Sequence, residues 1–509
     1  MGTPSHRIPR SLLFFSKASL HLRRIHSNIG ISPKTPLPSF HLSFKVRFFP
    51  FIISSGLEEV PRPLTICRVN SCSSLGIGLA GFGTVGSGVW NTLQRNGELI
   101  TGRTGGDVNL HIAKILVRDL TKARATNGDA PNDYFTTDWK ELVADPAVDI
   151  VVELIGGTTV AFDIVAAALR AKKPVVTGNK ALLAERGVEL FAISKEMGTP
   201  IHFEAAVAGG IPIIRTVQDS FIGNRIHSFS GIINGTSNYI LGRMTDAGLT
   251  FDDALAEAQA LGYAEADPAL DVNGWDAAHK AILLATLAYG FPIDPKDIHV
   301  SGIEQVRPTD ISFAKNLGYV VKLLAVIREH ADSSVELRVQ PSFIAKSHIL
   351  ASVHGVFNAV AVHGDAAGES LFYGRGAGQD PTASSVVADL VEAARSLRQA
   401  AGHRGFLPYR ESGAILPVAD TSTAYYVRFD VTDRPGVVAE IARVLADHRI
   451  GISGTHSPVN PSNPDAAFVD MVFLLHTCPF GKLQQALTEI EALDCINSTP
   501  VVFRIESLG

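Results

Sequence analysis

A short apolar run followed by closely spaced glycines restricts the fold of this chain more than any other feature. The run Leu75 to Ala80 is followed directly by Gly81-Phe82-Gly83-Thr84-Val85-Gly86 and then by a helical pattern. In the strand–turn–helix of a dinucleotide site, Gly81 would allow the tight turn, Gly83 would let the backbone approach the pyrophosphate, and Gly86 would permit close helix packing. The phosphates would lie at the N-terminus of the helix. The six-residue run is therefore predicted to contact the cofactor.

Further patterns extend this motif into a doubly wound α/β domain. Strands are predicted over residues 111–117, 148–154 and 174–177, and a crossover helix over residues 162–171. The last strand brings Thr177 and Lys180 to the carboxyl edge of the sheet, where ligands bind in such folds. Thr177 is counted among the predicted cofactor-binding residues, and Lys180 is a site candidate at this edge, although it also fits an ordinary lysine in the first turn of a helix.

The residues after the second predicted strand bear on the choice of cofactor. Arg118, Asp119, Lys122 and Arg124 lie there. An acidic residue at this place selects NAD through the ribose hydroxyls, whereas an arginine pairs with the 2′-phosphate of NADP. Arg118 beside Asp119 leaves the choice open, with NADP favoured and NAD tolerated.

A second informative stretch, residues 262–280, concentrates charge where little is found nearby. It contains four carboxylates and a lysine: Glu265, Asp267, Asp271, Asp276 and Lys280. Asp276 and Lys280 are four residues apart and so share one face of a predicted helix. A lysine at the mouth of a buried helix, surrounded by carboxylates, suits proton transfer or recognition of an ammonium group. The alternative is a pair of capped helices with solvated charges.

The flanks of this stretch predict how its helices begin and end. Thr250 is placed to cap a helix over residues 250–261, and Gly262 is placed to end it. Pro268 is expected to hold the following connection extended, so that Asp271 begins a second helix.

Residues 201–212 pass from a short strand into a loop of small residues. Glu204 lies among apolar neighbours there, so it needs a partner or a cation to stay ionised. A glutamate together with carbonyls of a tight loop offers only oxygen ligands, which suit an alkali or alkaline-earth ion.

Beyond residue 206 strands and helices mix, which predicts an α+β domain over residues 206–373. The predicted strands are 226–233, 301–306, 335–344 and 359–363, and the predicted helices are 238–247, 254–261 and 277–289. Gly378 ends a glycine cluster that opens a helix over residues 382–400. That helix is expected to return to the nucleotide-binding domain, which would comprise residues 71–205 and about 374–405.

A linker with two prolines, residues 405–420, precedes a C-terminal unit over residues 420–509. Its predicted strands are 424–431, 467–475 and 500–505, and its predicted helices are 437–448 and 482–493. The turn from Asp433 to Gly436 opens the first helix. This order is similar to an ACT domain, a ferredoxin-like module that binds amino acids at paired interfaces, and Asp433 and Gly436 would then be regulatory positions. The alternative is a plain α+β dimerisation domain.

Residues 1–70 differ in composition from the rest of the 509-residue chain. The first 57 residues contain no Asp or Glu but eight Lys or Arg, with many serines and several prolines. That composition is typical of an organellar transit peptide. Plastid is the favoured destination and mitochondrion the alternative, and a disordered basic tail is the bland interpretation.

Composition argues against several classes of partner. The net charge of −5 gives no support for nucleic-acid binding, and no run reaches the roughly 18 apolar residues of a membrane helix. The four cysteines lack zinc-finger spacing, and so few in a long chain indicate a reducing compartment. We therefore expect neither nucleic-acid nor membrane partners.

Several separated motifs, from about Leu75 to Leu416, resemble the homoserine dehydrogenase family. They are Gly-Phe-Gly-Thr-Val-Gly at 81–86, Val-Val-Thr-Gly-Asn-Lys-Ala-Leu-Leu-Ala at 175–184, Glu-Ala-Ala-Val-Ala-Gly-Gly-Ile-Pro at 204–212, Ile-Asn-Gly-Thr-Ser-Asn-Tyr-Ile-Leu at 233–241 and the stretch 261–280. The resemblance implies NAD(P)-dependent, reversible oxidation of L-homoserine to L-aspartate 4-semialdehyde. It also implies a homodimer or homotetramer, and the C-terminal unit resembles the form in which threonine is the feedback effector.

Carried over residue by residue, the resemblance implies one site in which Lys280 is the acid/base. The implied substrate-binding residues are Gly235, Thr236, Gly262, Glu265, Asp271, Asp276 and Lys180. Lys180 would also reach the cofactor, as would Gly378. The implied sodium ligands are Glu204 and the carbonyls of Val207, Gly209 and Ile211.

Two further interpretations stay open. One is a Rossmann dehydrogenase acting on another amino-acid semialdehyde, and the other is a catalytically silent ligand sensor. The protonation of Lys280 is also undecided, because burial would lower its pKa while the carboxylates would raise it.

Overall fold

The computed structural model describes residues 74–121, 130–398, 405–457 and 468–508. The predicted transit segment 1–70, together with Lys122 and Arg124, lies outside the described residues. Among the helices of the described ranges, none combines the length and apolar character needed to cross a membrane.

The nucleotide-binding domain is built on a parallel sheet. Its described strands are β1 (Leu75–Ala80), β2 (Leu110–Leu116), β3 (Phe135–Thr136), β4 (Ile150–Glu153), β5 (Val175–Thr177) and β6 (Ile201–His202). They are all parallel, in the order β3-β2-β1-β4-β5-β6. This is the order 3-2-1-4-5-6 of a dinucleotide-binding fold. The predicted α/β class is therefore confirmed.

Helices cover both faces of this sheet. The first ones are α1 (Thr84–Arg103), α2 (Trp139–Ala144), α3 (Val160–Arg170) and α4 (Lys180–Met197). Ile77 and Val152 share a core with Val89 of α1, whereas Val151 and Val175 share a core with α3 and α4 on the opposite face. Strands buried on both faces are nearly continuous apolar runs, which explains why the sequence predicts β1 and β5 closely.

The substrate half of the molecule is a mixed sheet with helices packed on one face. Its strands are β7 (Ile226–Ile232), β8 (His299–Val300), β9 (Tyr319–Glu329), β10 (Val335–Ala345), β11 (Phe357–Gly364) and β12 (Gly368–Arg375). Its helices are α5 (Gly235–Ala247), α6 (Phe251–Ala260), α7 (Ala269–Val272), α8 (Trp275–Tyr289) and α9 (Pro308–Asn316). Phe229 of β7 and Ile327 of β9 share a core with Ile282 of α8. The sheet therefore fixes the position of α8, the helix that carries Asp276 and Lys280.

A late helix packs back onto the nucleotide-binding domain, as expected. Helix α10 (Gln379–Arg398) buries Ala383 and Leu390 in the same core as Ile77 of β1. Gly88 of α1 is pressed against it, since a Cβ there would lie 2.9 Å from the Gln379 carbonyl oxygen. The helix begins at Gln379 rather than at residue 382.

The strand predicted over residues 301–306 is wrong. Only His299 and Val300 pair with β10, and the Ser301 amide makes one more bond to that strand before the chain turns away. The Ile303 amide then donates to the Val272 carbonyl at 2.8 Å, so contact with α7 replaces continued pairing. Strands β9 and β12 lie where no strand is predicted. β9 is a nearly continuous apolar run, whose periodicity does not distinguish a strand from a buried helix.

The connection before α8 also differs from the prediction. Pro268 has φ −88° and ψ 7°, which is not extended, and α7 starts directly after it. Asp271 therefore lies inside α7, and Gly274, with φ +89°, separates α7 from α8. The Asp267 carboxylate accepts a hydrogen bond from the Ala269 amide at 3.2 Å, and this Asx turn bends the chain into the short helix.

The C-terminal unit has the β-α-β-β-α-β order of a ferredoxin-like fold. Its elements are β13 (Ser422–Thr432), α11 (Val437–Asp447), β14 (Ile452–His456), β15 (Phe468–Pro479), α12 (Phe480–Glu491) and β16 (Val501–Glu506). The strands lie in the order β16-β13-β15-β14, and Ile441 of α11 and Leu483 of α12 pack on Phe429 of β13. Strand β14 is not predicted from the sequence.

The C-terminal unit and the substrate half share one sheet. Strand β16 pairs with β10 in parallel, with Ser342 opposite Arg504. A buried ion pair crosses this junction, because Nη1 of Arg338 lies 2.7 Å from Oε1 of Glu506. The described strands of both regions thus form a ten-stranded sheet, which the predicted linker at residues 405–420 does not anticipate.

Candidate active site

The glycine loop after β1 has the geometry of a dinucleotide-binding turn. Gly81 has φ +103°, and a Cβ there would lie 2.7 Å from the Leu154 carbonyl oxygen, so a side chain is excluded. A Cβ on Gly86 would collide with the Gly81 carbonyl oxygen. Around Gly83, in contrast, no described atom lies within 4 Å of an added Cβ. The loop therefore fits a pyrophosphate approaching at Gly83 and the N-terminus of α1.

The remaining residues of the six-residue run support this turn. Thr84 is exposed as the first residue of α1, and Val85 is half-buried behind it. Phe82 packs edge to face on Phe135, with ring centroids 5.5 Å apart. The packing of Phe82 fixes the loop on β3.

Three further predicted cofactor residues lie in different settings. Arg118 is exposed two residues after β2, where a ligand has access to its guanidinium. Thr177 is buried at the end of β5, and Gly378 has φ +123° directly before α10. Arg118 is therefore exposed to solvent, while Thr177 is engaged with the residue to which it donates.

That residue is Glu153, which no sequence motif singles out. Its carboxylate is fully buried at the end of β4 and accepts hydrogen bonds from the Thr177 hydroxyl at 2.7 Å and the Ile155 amide at 2.9 Å. The Asn179 amide also donates to it, at 3.4 Å, while Asn179 caps α4. Burial raises the pKa of Glu153. Glu153 therefore connects the loops that follow β4 and β5. In the sequence it could be recognised as an acidic residue at the end of an apolar strand.

Two lysines meet on one buried carboxylate at the start of α8. Nζ of Lys280 donates to Oδ2 of Asp276 at 2.6 Å, and Nζ of Lys180 lies 3.1 Å from Oδ1. Lys180 begins α4, so it comes from the nucleotide-binding domain, whereas the other two residues share one face of α8. The structure therefore brings Lys180, Asp276 and Lys280 together where α4 of the nucleotide-binding domain meets α8 of the substrate half.

Asn234, which lies within the motif at residues 233–241, completes this cluster. Its side-chain nitrogen donates to Oδ1 of Asp271 and to Oδ2 of Asp276, both at 2.7 Å. The carbonyl of the preceding residue, Ile233, accepts from Nζ of Lys280 at 2.8 Å. The segment between β7 and α5 thus touches every charged member of α7 and α8 in the site.

The surroundings shift the pKa values of Lys280 and Lys180 in opposite directions. Burial lowers the pKa of Lys280, and the nearby Lys180 lowers it further, so that together they outweigh Asp276. The Asp276 carboxylate raises the pKa of Lys180, which is less buried. The side chain of Lys280 is 10% exposed, whereas that of Lys180 is 35% exposed. Lys280 is therefore the lysine that loses its proton more readily, and Lys180 is the one whose cation is stabilised.

The two aspartates also differ in charge state. Burial favours the neutral acid in Asp276, but Lys280 and Lys180 hold the pKa of that carboxyl below its usual range. Burial and the neighbouring Asp276 raise the pKa of Asp271. Asp276 is thus a fixed anion, while Asp271 is the more easily protonated partner.

The other predicted substrate residues form a rim beside this cluster. Glu265 is exposed in the loop after α6, and Gly262, with φ +74°, begins that loop. The Thr236 hydroxyl donates to the Tyr263 carbonyl at 2.9 Å. A Cβ on Gly235 would lie 2.6 Å from the Val356 carbonyl oxygen. The N-terminus of α5 is therefore tied to the same loop.

Glu204 lies where a cation is predicted, and its carboxylate already accepts two backbone bonds. Oε1 accepts from the Ile214 amide at 2.9 Å and Oε2 from the Arg215 amide at 2.8 Å. Burial raises the pKa of Glu204. The Glu204 amide in turn donates to Asp389 at 2.8 Å.

The implied carbonyl ligands are also partly engaged. The Gly209 carbonyl accepts from the Ser385 hydroxyl at 2.7 Å, and the Ile211 carbonyl accepts from the Ile213 amide at 2.8 Å. Each oxygen keeps a second lone pair. With the carbonyl of Val207, the all-oxygen set therefore fits a sodium ion in ligand chemistry.

The implied regulatory positions lie in an exposed turn of the C-terminal unit. Gly436 has φ +102° and directly precedes α11, and Asp433 is exposed three residues earlier. Arg434 between them pairs with Glu440 at 2.8 Å. The left-handed backbone of Gly436 explains the glycine at this position.

The fold and the site define a class of protein. A glycine loop on a parallel sheet, next to a buried lysine–carboxylate pair, is the arrangement of a nicotinamide-dependent oxidoreductase. Two family models match the chain. The model described as "Homoserine dehydrogenase, NAD binding domain" covers residues 81–204, and that described as "Homoserine dehydrogenase" covers residues 212–391.

Relatives match over nearly their whole length. Homoserine dehydrogenase of Pseudomonas aeruginosa is 42% identical over 438 residues, which is 85% of this chain and 99% of the relative. That of Bacillus subtilis is 39% identical over 435 residues, 85% of this chain and 98% of the relative. The crystal structure of a homoserine dehydrogenase from Thiobacillus denitrificans is 43% identical, with TM-score 0.79, covering 86% of this chain and 99% of that one. The chain belongs to the homoserine dehydrogenase family.

Proposed function

We propose that this protein catalyses the reversible, NADP-dependent oxidation of L-homoserine to L-aspartate 4-semialdehyde. The observation that carries the proposal is the buried Lys280, paired with Asp276 and facing Lys180 across the same carboxylate. This reaction belongs to the aspartate-derived route to threonine, methionine and isoleucine. A curated relative with 42% identity over almost its full length supports it.

Lys280 acts as the base that removes the hydroxyl proton. In its neutral form the amine has two N–H donors and one lone pair, and Asp276 and the Ile233 carbonyl accept both donors. The lone pair therefore remains for the proton of the substrate hydroxyl. A bound nicotinamide would supply the acceptor for the hydride that leaves C4 of homoserine. In the reverse direction Lys280 returns the proton to the oxygen.

The surrounding charges bind and orient the amino acid. Asp271 and Glu265 are anions available to the substrate ammonium group, and Lys180 is a cation available to its carboxylate or to the cofactor. Asp276 is held between the lysines and supports Lys280 rather than competing for the substrate. The pocket thus has complementary charge for a zwitterion.

NADP is the proposed cofactor, with NAD tolerated. Arg118 is exposed at the end of β2, where the 2′-phosphate is read in this fold. A relative supports NADP use. A hyperthermophilic archaeal homoserine dehydrogenase, 28% identical with TM-score 0.55, was solved in complex with NADPH and covers 65% of this chain and 100% of that one.

A sodium ion is proposed at Glu204, with the carbonyls of Val207, Gly209 and Ile211. The loop that supplies these oxygens packs on α10, since Ser385 donates to Gly209. The ion would therefore stabilise the junction between the nucleotide-binding and substrate halves. Thermal stability that rises with sodium but not with an equal concentration of tetramethylammonium would support it.

The C-terminal unit is proposed to be an ACT-like regulatory domain that responds to threonine in a homodimer or homotetramer. Its element order and the turn from Asp433 to Gly436 support this role. Strand β16 pairs with β10, and β10 contacts α8, so a movement of this unit would reach the catalytic helix. Inhibition by threonine that is lost in Asp433→Ala, with an unchanged KM for homoserine, is the expected outcome.

Residues 1–70 are proposed to direct the protein to plastids, with mitochondria as the alternative. The absence of acids from its first 57 residues and its serine content support the proposal. A fluorescent reporter fused to residues 1–75 should enter plastids. Cytosolic fluorescence would refute targeting.

The main proposal is tested by assaying the purified protein with homoserine and each cofactor. Reduction of NADP on addition of homoserine is expected. Activity only with another amino-acid semialdehyde would point to a related dehydrogenase, and binding without turnover would point to a silent sensor. No cofactor reduction at high homoserine would sink the proposal.

A further inference from the structure

We propose that Asn234 is a positioning residue that holds Asp271 and Asp276 together as a pair of anions, so that the pocket retains its affinity for an ammonium group. This inference rests on the proposed oxidation of homoserine. Asn234 lies two residues after β7 and is 4% exposed. Its side chain is therefore buried, and it acts through the acids that it contacts.

All hydrogen-bonding groups of the Asn234 side chain are engaged. Its nitrogen donates one hydrogen to Asp271 and the other to Asp276, each at 2.7 Å. Its oxygen accepts from the Ser237 amide at 2.7 Å, which caps α5. The cap requires an acceptor, so the nitrogen must face the two acids.

The two acids need such a bridge because they are neighbours of the same charge. Two carboxylate oxygens that share one nitrogen are close enough to disfavour joint ionisation. Asp276 is compensated by Lys280 and Lys180, whereas no lysine of the described residues is within ion-pair distance of Asp271. Asp271 is thus the acid that depends on Asn234.

The charged groups around Asp271 are consistent with this dependence. They are Asp276 and Lys280 of α8 and Lys180 of α4, and Glu265 of the preceding loop acts on Lys180. Burial raises the pKa of Asp271 most, and Asp276 raises it further, while Asn234 lowers it. Removing the amide therefore favours a neutral Asp271.

Substitutions at this position separate the bridge from the helix cap. Asn234→Asp keeps the shape and the acceptor for Ser237 but removes both N–H donors. Asn234→Ser keeps a cap and one donor. Asn273→Asp is the matched control, because the Asn273 oxygen also accepts a turn-forming bond, from the Trp275 amide at 3.0 Å, and the charge change is identical.

The experiment measures homoserine affinity of the NADPH-bound enzyme by calorimetry across a pH series. This complex does not turn over, so the readout is independent of catalysis. Asn234→Asp is expected to weaken binding about 10-fold or more at neutral pH, and to lose affinity at a higher pH than wild type as the pH falls. Asn234→Ser should be intermediate, and Asn273→Asp should match wild type. NADPH affinity should be unchanged in all three, whereas Tm should fall in Asn234→Asp, because this variant buries a third acid against Asp271 and Asp276.

Two results would overturn the inference. The first is Asn234→Asp with wild-type affinity and pH dependence. The second is a loss of NADPH affinity in Asn234→Asp together with wild-type pH dependence in Asn234→Ser, which would leave Asn234 as a cap only. A wild-type enzyme that neither binds nor oxidises homoserine would instead refute the proposed function, and this inference with it.

Discussion

The cofactor loop and the substrate cluster are built on different principles. The loop from Gly81 to Gly86 is continuous in sequence and works through its backbone, with one glycine at φ +103° and another pressed on a carbonyl oxygen. The substrate cluster takes its side chains from separate segments, with Lys180 on α4, Asn234 before α5 and Asp276 on α8. The cofactor loop can therefore be predicted from a local sequence motif. The substrate cluster, in contrast, forms only when the helices that carry its residues pack together.

The two lysines of the cluster show what packing adds. Lys180 and Lys280 contact the same carboxylate. Their pKa values nevertheless shift in opposite directions, because Lys280 is desolvated and Lys180 is dominated by its attraction to Asp276. Burial, rather than the identity of the partner, distinguishes Lys280, the proposed base, from Lys180.

The largest effect is expected from removing that base. Lys280→Ala should lower kcat by about 100- to 10,000-fold, the usual loss for a positioned proton transfer, while NADPH binding at the glycine loop remains. Stopped-flow fluorescence of NADPH and steady-state assays measure the two properties. Lys280→Arg is the matched control, since it keeps a cation beside Asp276 but does not release its proton. If Lys280→Ala retains more than about a tenth of kcat, Lys280 is not the base and Lys180 becomes the next candidate.

Substitutions in the glycine loop should produce the opposite pattern. Gly83→Ala adds a methyl group in the path of the pyrophosphate, and overpacking of roughly 1–3 kcal/mol corresponds to about a 5- to 160-fold loss of NADP affinity. Tm without cofactor should not change, because the added group meets no described atom within 4 Å. Gly86→Ala, whose Cβ would meet the Gly81 carbonyl oxygen, should lower Tm as well. Equal Tm values for the two variants would contradict this account of the loop.

A smaller, selective effect is expected at the end of β2. Arg118→Ala removes one charge-assisted contact to the 2′-phosphate, which should raise the KM for NADP by about 10-fold. The KM for NAD should stay nearly constant, because NAD lacks that phosphate. Equal losses with both cofactors would mean that Arg118 does not read the phosphate.

The smallest effect is a change in pH dependence. Homoserine oxidation needs neutral Lys280, so kcat should rise as the pH increases through the pKa of Lys280, below the ordinary lysine value of 10.5. Lys180→Met removes a cation that lowers this pKa, so the midpoint should move to higher pH. The pH profile of kcat at saturating homoserine and NADP tests this. A midpoint that moves down would show that Lys180 does not set the charge of Lys280.

The sequence predicts the nucleotide-binding sheet well because its strands are buried apolar runs. The bounds of β1 match the predicted residues 75–80. Helix α8 is also predicted, since the predicted residues 277–289 lie within Trp275–Tyr289. The same reasoning fails for β9, where a long apolar run does not reveal its period.

The sequence could not predict long-range polar contacts. The bond between Asn234 and Asp276 joins residues 42 positions apart, and no local pattern marks either as the partner of the other. The strand expected over residues 301–306 fails for a related reason, since the end of α7 competes with β10 for its backbone. In both cases the sequence indicates that hydrogen bonds will form, but it does not indicate which distant residue will be the partner.

The late return of α10 to the first domain has a consequence for synthesis. One face of β1 and β4 is covered by Ala383, Val386 and Leu390, which leave the ribosome long after His202 has completed the last strand of that sheet. At ~5–20 residues per second, roughly 10–35 s separate the two events. During that interval the nascent chain lacks part of the apolar cover of this sheet face, so the domain that starts first is completed late.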